Sequence, residues 1–81
     1  MSLQTIEAPL PGILYHKPSP DAEPFKTPGD AVAVGDTLAL IEVMKSFMPV
    51  EAELAGTFKG YSAADGESIE PGAPVCEIEQ A

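Results

Sequence analysis

The chain predicts an all-β fold, and three observations carry that expectation. Segments rich in extended-chain formers are cut short by Gly, Pro and Asp, with period-two patterns such as Val32/Val34 and Val50/Ala52/Leu54. No stretch has the length and periodicity of an ordinary helix. The second half also repeats the first: Pro11-Gly12-Ile13-Leu14 corresponds to Ala55-Gly56-Thr57-Phe58, and residues 29–36 correspond to 66–73. Two similar half-chains of antiparallel strands can close one core between two small sheets.

Taken in order, residues 1–7 read as an N-terminal extension and 8–79 as the domain. Ile13-Leu14 follows a Pro-Gly turn and opens the first half. Gly12 and Gly56 are 44 residues apart but Gly35 and Gly72 only 37, so the first half holds seven more residues between those glycines. The surplus falls at about 16–26, where Pro18, Pro20 and Pro24 disfavour helix and central strand, so a stiff polar projection is expected. Val32 and Val34 form the next strand. Gly35-Asp36 then turns into Thr37-Leu38-Ala39-Leu40-Ile41, and after the turn around 42–46 the segment from Met48 to Leu54 returns. Phe58, Ile69, Val75 and Ile78 continue the pattern in the second half. The expected core is Ile13, Val32, Val34, Leu38, Leu40, Val50, Leu54, Phe58, Ile69, Val75 and Ile78. Pro9, Pro11, Pro49, Pro71 and Pro74 fall at edges, strand starts and turns, where a missing N–H is tolerated.

Composition excludes several classes of function. At 81 residues the chain is one small domain that hides about 60% of its unfolded surface, too little for a catalytic cleft. A net charge of −9, with 13 acids against Lys17, Lys26, Lys45 and Lys59, argues against nucleic acid, whose phosphates need clustered cations. The longest strongly apolar run, Leu38 to Ile41, is far below the roughly 20 residues that span a bilayer. The start of the chain shows no export signal, so a soluble cytoplasmic chain is expected. Cys76 is the sole cysteine, which excludes an internal disulfide and a multi-cysteine metal site. His16 has no nucleophile or second base beside it in sequence. Glu51 and Glu53 share a strand face without a pocket, and the glycines are too scattered to cradle phosphate. Neither a catalytic residue nor a metal ligand is expected.

What remains is Lys45, at the expected hairpin tip in Glu42-Val43-Met44-Lys45-Ser46. In an arbitrary sequence such a lysine would be an ordinary solvated turn residue. Here it stands between two similar half-chains, next to a methionine in a position that normally takes Gly, Asn, Asp, Ser or Pro. An exposed thioether gains no burial there, so Met44 is expected to be read by something else.

At these residues the chain resembles the biotinyl carrier domains of biotin-dependent carboxylases, whose modified lysine follows a methionine at a hairpin tip. Besides Met44-Lys45, the likeness covers Gly35-Asp36-Thr37-Leu38, Glu42, Val50-Glu51-Ala52 and Gly56-Thr57, and runs over residues 8–79. Val43 stands where the family usually has alanine, and Ser46 where it usually has methionine. The resemblance implies a flattened barrel of two four-stranded antiparallel sheets with quasi-twofold symmetry, the hammerhead fold. It implies biotin as a covalent amide on Lys45, with Met44 and Ser46 flanking for a biotin protein ligase and Glu42 and Glu51 as surface contacts. The Pro18-Ser19-Pro20-Asp21 segment resembles the "thumb" of carriers of the acetyl-CoA carboxylase type, which touches the tethered cofactor.

The function so implied is carriage without catalysis. A carboxyl group would move from a biotin carboxylase to a carboxyltransferase, in an acetyl-CoA carboxylase-like system that serves fatty-acid synthesis. A lysine amine is ordinarily protonated at neutral pH, so acylation needs a ligase and selectivity rests on recognition. Two other readings stay open: a lipoyl carrier, which usually has aspartate before its lysine and no projection, and an unmodified hammerhead that only binds partners.

Overall fold

The structure, a computed structural model, describes residues 2–19 and 21–80. Its eight strands are β1 (Ser2–Glu7), β2 (Gly12–Tyr15), β3 (Ala31–Val32), β4 (Thr37–Val43), β5 (Ser46–Glu51), β6 (Gly56–Tyr61), β7 (Ser68–Ile69) and β8 (Pro74–Gln80). They form two four-stranded sheets, β1-β8-β6-β3 and β5-β4-β2-β7, with every neighbour antiparallel. The all-β sandwich expected from the sequence is what the chain forms. Ser2–Glu7, read as an extension, pairs with β8 along its length as the edge strand β1.

The repeat is a structural twofold. Exchanging β1–β4 with β5–β8 turns each sheet order into the other, and the hydrogen bonds of the connections repeat with it. Ala8 N donates to Ala73 O and Ala52 N to Asp36 O, both at 2.8 Å. Leu14 N donates to Glu67 O at 2.9 Å and Phe58 N to Asp30 O at 2.8 Å. The glycines paired in sequence are paired here for one physical reason. A Cβ on Gly12 would fall on the carbonyl oxygen of Glu42, and one on Gly56 would fall on that of Glu79. Only a residue without a side chain lets these backbones approach so closely.

The core differs from strict alternation at two equivalent places. Thr37 pairs with Glu51 but Ala39 with Val50, so Leu38 is an extra residue in β4; likewise Ile6 pairs with Cys76 and Glu7 with Pro74, so Val75 is extra in β8. Each bulge shifts the strand's phase by one. Leu38, Ala39 and Ile41 are buried in β4, and Val75, Cys76 and Ile78 in β8, each with no exposed surface. Leu40, expected in the core, is thereby turned to the outer face and is only half-buried. Ile13 is also on the outer face, because Leu14 is the residue of β2 that faces Ile41. Leu54 packs against the core from a half-buried position. Val34 is 68% exposed, since β3 ends at Val32 and the chain turns through Ala33–Asp36. Val32, Leu38, Val50, Phe58, Ile69, Val75 and Ile78 are buried as expected. Burial of Phe58 and Leu14, both with no exposed surface, contributes roughly 1.5–3 kcal/mol each.

The connections fix where the ends of the molecule lie. Ala52 is bonded to Asp36 at the start of β4, and four residues later Gly56 abuts Glu79 at the end of β8. β4 and β8 therefore run in opposite directions. The β4–β5 turn and the paired ends of β1 and β8 are at opposite ends of the sandwich.

Candidate functional site

β4 and β5 are joined by two residues, Met44 and Lys45, between the paired Val43 and Ser46. Both have left-handed backbone, at φ 50° and φ 68°, as a two-residue type I′ turn requires. That turn matches the twist of the strands but selects Asn and Gly, since a β-carbon in the left-handed region is costly. No other non-glycine residue among those described has positive φ. The strain therefore sits on the two residues that the sequence singles out, and it aims them into solvent. Met44 is 93% exposed.

The four lysines are placed very differently. The Lys26 ammonium donates to Ala31 O at 2.9 Å and to Asp36 Oδ2 at 3.0 Å, with its side chain 18% exposed. Lys59 is 3.8 Å from Glu79 Oε1 on the far sheet. Lys17 lies on the projection. Lys45 is exposed at the tip and has no ion-pair partner among the described residues.

Beside the tip the projection folds back over the sheet. Phe25 N donates to His16 O at 2.8 Å, which closes the loop, and Pro18 and Ser19 face Phe47 across a depression of about 360 Å³. Tyr15, Lys17 and Asp65 complete its lining. Tyr15 and Phe47 meet with ring centroids 6.0 Å apart and planes inclined by 54°. Phe47 is two residues from Lys45, at most about 7 Å along the chain. Asp21 is exposed and does not line the depression, and Pro20 lies outside the described residues.

The twofold shows that this apolar floor is no requirement of the fold. The outer face of β5-β4-β2 carries Ile13, Tyr15, Leu40, Phe47 and Pro49. By the strand pairings, the corresponding places on the other sheet hold Thr57, Lys59-Gly60, Glu77, Leu3 and Thr5. One side is aromatic and aliphatic where its equivalent is largely polar. Sequence reasoning missed Tyr15 and Phe47. The signal was an aromatic at the root of the proline-rich insertion and another two residues past the lysine.

Two carboxylates are fixed around this floor. Tyr15 Oη donates to Glu42 Oε1 at 3.0 Å, which makes its phenol harder to ionise; desolvation and the charges of Glu42 and Asp65 act in the same direction. Asp65 Oδ1 accepts from His16 N at 2.7 Å. The His16 ring stacks on Tyr61 at 3.6 Å, with its Nε2 2.7 Å from Ala63 O. His16 thus anchors the base of the projection. Glu51 pairs with Thr37 at the other end of the hairpin, about 16 Å from Ser46 along β5. The structure brings Glu42 near the tip and leaves Glu51 away from it.

The chain is thus a twofold β-sandwich that presents an exposed lysine on a strained two-residue turn. Residues 4–79 match the family model described as "Biotin-requiring enzyme", and the chain belongs to this biotin/lipoyl family. It is 37% identical over 79 residues to the biotin carboxyl carrier protein of acetyl-CoA carboxylase of Haemophilus influenzae, covering 98% of this chain and 51% of that protein. The proteins of the same name from Streptococcus pyogenes and Pseudomonas aeruginosa are 37% and 32% identical over 73 residues, each match covering 90% of this chain and 44% and 47% of theirs. The chain spans about half the length of the curated relatives it matches.

Proposed function

We propose that the chain is a biotin carboxyl carrier, with biotin joined as an amide to Nζ of Lys45. The observation that carries this reading is the strained, fully presented Met44-Lys45 turn, on a scaffold whose other described turns do without left-handed side chains. The residues suit the group. The amine is free of ion pairs among the described residues, and an apolar depression of ring-receiving size lies within reach of its stem. When attached, biotin supplies a ureido nitrogen that takes up and gives up a carboxyl group.

The chain's own part is presentation. β4 and β5 hold the amine at one end of a stiff sandwich, opposite the paired ends of β1 and β8, and the unbranched lysine stem lengthens the arm. Met44 and Ser46 flank the amine as the features a biotin protein ligase reads. Pro18 and Ser19, which line the depression, are the contacts of the projection with the resting arm. The chain provides no acid or base for the transfer and is a non-catalytic carrier. Biotin carboxylase and carboxyltransferase are its partners in an acetyl-CoA carboxylase-like system of the cytoplasm, and tethering replaces free diffusion by a local concentration that reaches about the millimolar range.

Separate co-expression with a biotin ligase and a lipoate ligase, read by intact mass, tests the reading. One biotin adduct and no lipoyl adduct is expected. A lipoyl adduct, or no adduct with either ligase, would overturn it.

A further inference from the structure

The four sheet edges are not protected alike. β3 and β7 are two residues long, and β5 carries Pro49, which has no N–H to offer a further strand. β1, the six-residue strand Ser2–Glu7, pairs only with β8 and contains neither proline nor lysine. Its bulge comes at the far end, between Ile6 and Glu7. The twofold supplies the phase of this edge. Thr5 faces Glu77 as Pro49 faces Leu40, so Leu3 and Thr5 are the residues that turn N–H and C=O to the open side, where antiparallel alternation puts every second residue. Thr5 keeps the donor that Pro49 lacks. The open side shares a groove with Pro49 and Val50 of β5 and with Val34, and Leu3 on the outer face is 55% exposed. From Ser2 to Ile6 the edge is also uncharged, on a chain that has 13 acids against 4 bases.

We infer that β1 is a docking edge for a second copy of this chain, joined strand to strand as a twofold dimer. Antiparallel pairing about an axis at Gln4 sets Leu3 opposite Thr5 of the second copy, and Thr5 opposite its Leu3. The outward-turned groups of each edge then meet outward-turned groups and exchange N–H···O bonds in both directions. Two four-stranded sheets become one of eight, and Leu3 gains a cross-strand neighbour. A second copy is the occupant that the charges favour. An uncharged strand offers a basic or acidic partner nothing to select, but it is what two chains of net charge −9 need in order to approach. In the joined sheet Glu77 and the second copy's Glu79 are three strand spacings apart, about 14 Å, which exceeds the screening length of about 8 Å at physiological salt. Because the two β1 strands run antiparallel, the Lys45 turns point to opposite ends of the dimer and both amines stay free. The inference uses nothing from the carrier reading and stands or falls apart from it.

Sedimentation equilibrium of the chain at concentrations up to about 1 mM tests the association, and three variants test its register. The native chain should rise toward twice its monomer mass. Thr5→Pro gives β1 what Pro49 gives β5, so it should keep the fold, read as an unchanged Tm in dilute solution, and lose the dimer. Gln4→Cys places two thiols across the axis, with Cα atoms about 4.5 Å apart, and should form a disulfide-linked dimer in a glutathione buffer. Ser2→Cys should not, since its two copies would be four residues out of register, about 13 Å apart. The native Cys76 has no exposed surface and does not compete. A native chain that stays monomeric throughout, a dimer that survives in folded Thr5→Pro, or Gln4→Cys that cross-links no faster than Ser2→Cys would overturn the inference. If Thr5→Pro fails to fold, the comparison of the two cysteine variants decides the matter alone.

Discussion

Met44 and Lys45 are consecutive non-glycine residues in left-handed backbone, at φ 50° and φ 68°, between the paired Val43 and Ser46. Folding alone would not choose them. The turn requires that geometry at both places and is served best by Asn-Gly. Replacing Met44-Lys45 with Asn-Gly should therefore raise stability by about 2 kcal/mol, measured by urea unfolding, while removing the amine. A turn swap that destabilises the domain would show that the pair contributes to the fold itself.

The close approaches at Gly12 and Gly56 give a second expectation. Alanine at Gly56 would push a methyl group into the Glu79 backbone, and at Gly12 into that of Glu42, costing roughly 3 kcal/mol each. By contrast, Gly66 has open space around its Cα but a φ of 83°, so alanine there should cost only about 1 kcal/mol. Chemical denaturation of the three variants checks the order.

Acid sensitivity should trace to two aspartates. Asp36 is held below the usual carboxyl range, first by the backbone N–H of Ala33 and then by Lys26; Asp30 is lowered first by the backbone N–H of Thr27 and then by its hydroxyl. A lowered folded-state value stabilises above the unfolded carboxyl value, and that stability is lost as pH falls through the folded one. The Tm difference between the native chain and Asp36→Asn should be constant above about pH 5 and shrink below about pH 4. A difference that grows in acid would contradict the assignment.

Much of this molecule could be read from its residues. The duplicated Gly12/Gly56 and Gly35/Gly72 frame, the hairpin at Lys45 and the insertion all rest on local turn chemistry, which needs no knowledge of neighbours. Leu40, Ile13 and Val34 were misplaced for different reasons. The bulge at Leu38 changes the strand's phase, and Leu14 rather than Ile13 faces Ile41, both matters of pairing across strands. The turn after Val32 comes one residue too soon for Val34 to be buried. The depression beside the tip was invisible because Tyr15 and Phe47 are 32 residues apart in sequence and meet only through the register of β2, β4 and β5.

The most direct test of the account is a peptide map of the chain after exposure to biotin ligase, beside the map of Lys45→Arg. Biotin on Lys45 alone, with none on the variant although it folds with an unchanged Tm, is the predicted result. Biotin on Lys17, Lys26 or Lys59, or an adduct that survives in Lys45→Arg, would contradict it.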